Sequence, residues 1–351
     1  MSITKIANKL LHCMDPEMAH DLAITTLKYG LYPKQKIIKN NILESNILGM
    51  NFKNPIGLAA GFDKNADCIK NLFQQNFGFI ETGTATPKSQ KGNHKPRLFR
   101  LSQDQAIINR MGFNNKGAEY YCNNLANNFN KFGIVGANIG KNKNSESHID
   151  DYVSMLRYID GKCNYVTINI SSPNTVGLRE LQKQNYLNQL LEEISKTRYN
   201  LKYKTPIFVK ISPDCDFSEY HKIVESCIYY NIDGIIVSNT TIERPDSLIS
   251  KHKNQTGGLS GSVLFDQSNK IIKKIYQISE NKLIIIGVGG ISNAKDVLYK
   301  MSLGASLVQI YTALIYNGFE LINEILLDLI NILEKKGVKN ITDIIGTSYE
   351  G

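Results

Sequence analysis

The sequence predicts an α/β fold, a (β/α)8 TIM barrel with a small N-terminal two-helix extension. Three observations carry that prediction. Eight short apolar runs recur from residue 56 onward, each ending in polar residues. They are continuously apolar rather than alternating, as parallel strands covered on both faces require. Helical stretches separate most of them, which is the pattern of parallel crossovers. An open doubly wound sheet is the rival, but it usually carries G-x-G-x-x-G after its first strand, and no such fingerprint is present.

The first forty residues stand apart. Ile3, Ile6, Ala7, Leu10, Leu11 and Met14 follow a helical stripe,. Asp15 is placed to cap a second helix with Pro16 at its first position. Met18, Ala19, Leu22, Ala23 and Leu27 give that helix an apolar face, and Gly30 is its stop,. The expected division is therefore a helical module over 1–41 and a barrel over 42–351. The module's apolar faces either pack on the barrel or form a membrane-surface or hydrophobic-ligand site.

The barrel strands are IGLAAG (56–61), FIETGTA (79–85), IVGANIG (134–140), YVTINIS (165–171), IFVKIS (207–212), GIIVSN (234–239), LIIIGVGG (283–290) and LVQIYT (307–312). Among the helices between them, 186–196 places Leu187, Leu190, Leu191 and Ile194 on one face, and Ser292 is expected to cap a helix before Ala294 and Val297,. An insertion over about 86–133 follows the second strand. Its "KPRLFRL" alternates like a strand and its "INRMGFNNKG" reads as a loop, expected over the carboxyl face where barrel sites are built,.

Composition narrows the function. With 351 residues, 42% hydrophobic and 21% charged, the chain buries a core without disulfides or metals. Six cysteines without a C-x-x-C pair speak against a disulfide framework or a metal centre,. No apolar run approaches the ~20 residues of a membrane span, and no basic-then-apolar leader opens the chain. The net charge of +9 comes from dispersed lysine; with no accompanying motif, nucleic acid is not an expected partner.

Polar residues close the strands: Lys64, Thr84, Asn138, Asn169, Lys210, Ser238 with Asn239, and Tyr311 with Thr312. "GVGG" (287–290) and "QIYT" (309–312) end the last two strands, the usual place of a barrel phosphate site,. Lys210 offers a cation opposite, and the asparagines offer donors and acceptors to a ring edge. Flavin mononucleotide fits this set, and phosphorylated sugars fit nearly as well.

The ordered motifs "NPIGLAAGFDKN", "ETGTATP", "KPRLFRL", "NRMGFNN", "NISSPNT", "SNTT", "TGGLSG", "IIGVGGI" and "LVQIYT" resemble those of the quinone-linked (class 2) dihydroorotate dehydrogenases, over about residues 10–330. The resemblance implies a barrel holding one FMN per chain, oxidising (S)-dihydroorotate to orotate in pyrimidine synthesis and passing electrons to a membrane quinone. It implies FMN contacts from Ala60, Gly61, Lys64, Thr84, Asn138, Asn169, Lys210, Ser238, Gly261, Gly290, Tyr311 and Thr312. Substrate contacts fall on Lys64, Asn109, Arg110, Met111, Gly112, Phe113, Asn169, Asn174, Asn239 and Thr240. Ser238 stands where the family's best-known members have threonine and Thr312 where they have serine; both swaps keep the hydroxyl.

Ser172, in Ser171–Ser172–Pro173–Asn174, matches the family's general base, where the cytosolic class carries cysteine. Such a base works only if its proton can leave, and Thr175 is a candidate relay. Without the resemblance, an S-S-P-N turn with a structural hydroxyl explains the same residues. His20, Arg100 and Tyr311 match positions near the quinone. Class membership also implies a peripheral protein, a monomer, attached through its N-terminal helices to the cytoplasmic face of the bacterial cell membrane. The rivals are a soluble-acceptor barrel dehydrogenase, a flavin-free phosphosugar enzyme and a non-catalytic membrane-binding module.

Overall fold

The computed structural model describes residues 11–175 and 177–349. Most of the stripe expected from Ile3 to Met14 lies outside these residues. The helix Pro16–Lys28 follows, and Asp15 Oδ1 accepts from the backbone N–H groups of Glu17 and Met18, as the sequence predicts. An unforeseen hairpin comes next, strands β1 (Ser45–Ile47) and β2 (Met50–Phe52). Leu48 and Gly49 turn it with φ of 52° and 75°, the positive values that a two-residue hairpin loop demands.

The eight predicted runs form β3 (Ile56–Leu58), β4 (Phe79–Ala85), β7 (Ile134–Ile139), β8 (Tyr165–Asn169), β9 (Ile207–Ile211), β10 (Gly234–Val237), β12 (Ile284–Val288) and β13 (Leu307–Ile310). They pair in parallel in sequence order, and β13 closes on β3 through Val308 opposite Ile56. Phe79, Tyr165, Phe208, Ile236, Ile286 and Leu307 fill the interior, and Phe52 of the hairpin joins them. The fit there is tight: a Cβ on Gly136 would come within 2.1 Å of the Tyr165 ring, so a larger residue would overpack the core.

Helices cover the outside. Gln184–Asn200 buries Leu187, Leu190, Leu191 and Ile194, as expected. The helix Ala294–Ser302 is capped by Asn293, one residue later than the Ser292 expected. The Asn293 side chain accepts from Asp296 N–H at 3.0 Å, while the Ser292 hydroxyl donates to the Asp296 carboxylate at 2.8 Å. Among the described residues no helix is long and apolar enough to cross a membrane.

Within the 86–133 stretch, β5 (Leu98–Leu101) and β6 (Ala106–Asn109) pair antiparallel. The stretch read as a loop from Ile108 thus begins inside a strand. A third member, β11 (Gly258–Gly261), reaches across from the loop after β10 and pairs with β6. This three-stranded sheet carries Arg100 and Ile107 to the rim of the cavity at the carboxyl face.

Candidate active site

The carboxyl ends of the barrel strands, the small sheet and the helix Pro16–Lys28 enclose a cavity of about 470 Å³. From the sequence-predicted set it is lined by Ala60, Gly61, Lys64, Thr84, Asn169, Lys210, Ser238, Gly261, Gly290, Tyr311 and Thr312. Asn109, Met111, Gly112, Phe113, Ser172, Asn174, Asn239 and Thr240 line it too, as do His20 and Arg100. Two predicted residues do not. Asn138 sits a layer below, and Arg110 turns outward to Gln255 and Thr256, with its guanidinium 4.6 Å from the Phe99 ring centre.

Asn138 belongs to a floor of polar side chains joining four strand ends. Its Oδ1 accepts from Thr84 Oγ1 at 2.5 Å and Asn169 Nδ2 at 3.3 Å. Asn169 Oδ1 in turn accepts from Ser171 Oγ at 3.1 Å and Asn239 Nδ2 at 3.3 Å. Beneath lies Glu81, fully buried, whose carboxylate accepts from Asn138 Nδ2 at 2.7 Å, Gln309 Nε2 at 2.7 Å and Tyr165 OH at 3.1 Å. Because a carboxylate only accepts, it turns both amide NH2 groups towards itself and their carbonyl oxygens away. Sequence reasoning missed Glu81, Gln309 and Ser171. The available signal was a charged and an amide residue inside the otherwise apolar runs FIETGTA and LVQIYT.

Lys210 is 5% exposed and lines the cavity. Burial lowers its pKa, and Glu81 partly offsets this. Lys64 Nζ lies 3.4 Å from His20 Nε2. Burial pulls Lys64 down to about 8 and holds His20 well below its ordinary value, with Lys64 adding to the His20 effect. At neutral pH the contact is therefore an ammonium donating to a neutral imidazole. Arg100 meets carbonyls rather than a carboxylate: its guanidinium donates to Leu11, His12 and Met14 at 2.9–3.0 Å. The half-buried Tyr311 points its hydroxyl at Gly61 O, 3.4 Å away.

Ser172 is buried on the loop after β8, and its Oγ accepts from Asn174 N–H at 3.3 Å. Thr175 is buried with its hydroxyl unpaired among the described residues.

The residues fit a phosphorylated planar heterocycle. Gln309 Oε1 and Thr240 Oγ1 are buried at the cavity without a protein partner among the described residues, and such atoms call for a polar ligand. Gly261 and Gly290 have φ of 119° and 74°. A Cβ on Gly290 would meet the Phe265 backbone at 2.7 Å, so only glycine fits this turn, and such a glycine turn is a backbone able to take an anion.

A buried, polar-floored cavity at the carboxyl ends of a closed parallel barrel defines the class: a barrel enzyme with its site in the usual place. The family model described as dihydroorotate dehydrogenase matches residues 42–333. A protein of Bartonella henselae named dihydroorotate dehydrogenase (quinone) is 46% identical over 340 residues, 96% of this chain and 93% of that one. A Mus musculus relative, dihydroorotate dehydrogenase (quinone), mitochondrial, is 40% identical and covers 97% of this chain and 88% of its own. A crystal structure of DHODH from Eimeria tenella in complex with ferulenol superposes with a TM-score of 0.92 at 37% identity, covering 96% of both chains. The chain belongs to the dihydroorotate dehydrogenase family.

Proposed function

We propose that the protein oxidises (S)-dihydroorotate to orotate in de novo pyrimidine synthesis, using one FMN and passing the electrons to a membrane quinone. The observation that carries the reading is Ser172, a buried hydroxyl at the same cavity as Lys64, Asn109, Asn169, Asn174 and Asn239. FMN, bound between the glycines 261 and 290 and Lys210, would supply the acceptor for the hydride leaving C6.

The chain's own residues do the rest. The Lys64 ammonium meets the substrate carboxylate, and the asparagine amides hold the edge of its ring. This fixes C5 against Ser172, the proximity on which much of the rate depends. Ser172 Oγ takes the C5 proton as the C5=C6 bond forms, and its own proton leaves towards Thr175 or water. Burial of Lys64 and Ser172 keeps them from bulk water and strengthens the Lys64 contact,. Lys210, buried at the same cavity, would hold a cation ready for negative charge developing on the flavin. On the other side, the cavity wall built from Pro16, Ala19, His20, Ala23 and Arg100 admits the quinone. The protein acts as a monomer held peripherally on the cytoplasmic face of the membrane through its N-terminal helices.

The test is an anaerobic flavin spectrum before and after dihydroorotate, followed by a short-chain quinone. Bleaching that recovers with quinone is expected. Ser172→Ala should keep the flavin colour and lose about 10²-fold or more in the bleaching rate. Flavin that dihydroorotate leaves oxidised would overturn the reading, and near-normal bleaching in Ser172→Ala would remove the serine from it.

A further inference from the structure

We propose that Glu17 and Arg97 are positioning residues for the substrate half of the reaction, although Glu17 sits on the acceptor-side helix. The inference rests on the function proposed above. Glu17 lies in the first turn of Pro16–Lys28, the helix that gives Pro16, Ala19, His20 and Ala23 to the cavity. Glu17 and Arg97 are both buried, each 6% exposed. Arg97 Nη2 donates to Glu17 Oε1 at 2.7 Å and Nε to Oε2 at 3.1 Å, a two-point fork,. Lys95 Nζ adds a more exposed contact at 3.2 Å.

The other end of the guanidinium grips a turn. Arg97 Nη1 donates to Lys91 O at 2.6 Å and Asn93 O at 2.8 Å. Asn93 then reaches the two segments that flank the substrate. Its N–H donates to Met111 O at 3.0 Å, and its Nδ2 donates to Arg110 O and Asn174 O, both at 3.1 Å. Asn174 completes the chain, with its N–H on Ser172 Oγ at 3.3 Å and its Nδ2 on Asn109 Oδ1 at 3.3 Å. Packing backs these bonds: a Cβ on Gly92 would lie 2.3 Å from Met111 O and 2.7 Å from Arg97 Nη1.

A continuous polar path therefore runs from the acceptor-side helix through Arg97 and Asn93 to the loop bearing Ser172. Removing the Glu17 charge leaves a buried guanidinium unpaired. The turn at 91–93 then loses its fixed anchor, and with it the placement of Ser172 against C5. Small displacements of this kind are costly to rate.

Holoprotein variants Glu17→Gln, Arg97→Lys and Asn93→Ala test this by stopped-flow flavin reduction with dihydroorotate, without quinone. Each is expected to slow reduction by about tenfold or more. Glu17→Gln combined with Asn93→Ala should lose little more than either alone, since both cut one path. Reoxidation by a short-chain quinone should stay near normal in Asn93→Ala, which leaves the helix contacts intact. Amide hydrogen exchange supplies a readout independent of turnover: Glu17→Gln should speed exchange at 109–113 and 170–175 as well as in the helix. Normal flavin reduction in Asn93→Ala, or exchange in Glu17→Gln raised only in the helix, would overturn the inference. Wild-type flavin that dihydroorotate fails to reduce would instead overturn the proposed reaction and leave the exchange result to decide the path.

Discussion

Lys64 has its charge set by everything packed around it. Burial lowers it to about 8, Arg97 pushes the same way, and Asp21, Glu17 and Asp63 oppose. The ammonium is present below about pH 8 and is lost as the pH rises through that value. Orotate is an anion, so its binding to the oxidised holoprotein should weaken about tenfold for each unit above pH 8, up to the limit set by its remaining contacts. Titrating the flavin spectrum with orotate from pH 6.5 to 9.5 checks this. Lys64→Met should bind weakly and without that pH dependence, and an equally steep fall in the variant would place the titration elsewhere. Single residues were the most legible scale, because each strand-end polar group interrupts an apolar run. What the sequence hid was orientation. Asn138 and Arg110 belong to the right motifs, yet one faces the floor and the other faces out. Both positions are set by partners far away in the chain, Glu81 and Gln255.

The glycine turn that ends β12 shows what an element adds. Its carbonyl Val288 accepts from Ser268 Oγ at 2.6 Å, and behind it the fully buried Lys300 donates to Ser268 Oγ at 3.0 Å and Asn269 Oδ1 at 2.8 Å. The ammonium also lies 5.0 Å from the Phe265 ring centre. The glycine turn is thus pinned to helix Phe265–Ser279 from below. Burial lowers Lys300 to about 7 from its ordinary 10.5. Below pH 7 the lysine is charged in the folded and unfolded chains alike, and folding bears the full cost of burying the charge. Between about 7 and 10.5 the unfolded chain holds a proton that the folded one does not, so stability rises with pH by up to about 1.4 kcal/mol per unit. Lys300→Met should lack this increment. Denaturant unfolding at pH 7, 8 and 9 measures it, with the wild type gaining on the variant at each step. A constant difference between the two would mean that Lys300 does not titrate in this range. Elements with long apolar periodicity were readable in advance. Strand β11, the four residues Gly258–Gly261, was not: glycine-rich and short, it is a strand only because β6 offers it an edge,.

At the scale of the whole molecule, the helix Pro16–Lys28 packs on one side and leaves apolar side chains exposed on the other. Ala19 and Leu27 are buried, and His20 and Ala23 face the cavity. Met18 and Leu22, read from the sequence as part of one stripe, are 60% and 43% exposed. Tyr29 and Leu31 extend that outward face at 71% and 73%. An apolar face left in water beside a cavity that the same helix lines suits a bilayer surface delivering a hydrophobic acceptor,, and Lys34, Lys36 and Lys39 just after it would suit anionic headgroups,. Burying Met18 and Leu22 in lipid is worth about 1.5 kcal/mol or more each, so losing both weakens partitioning by about a hundredfold. The double variant Met18→Glu with Leu22→Glu should therefore float free of anionic vesicles and oxidise dihydroorotate poorly with a long-chain quinone embedded in them. With a water-soluble short-chain quinone it should turn over at the wild-type rate, because neither side chain lines the cavity. A variant that still binds vesicles and uses the embedded quinone normally would assign the outward face no part in membrane attachment. One that fails with both quinones would mean that this face supports the cavity itself.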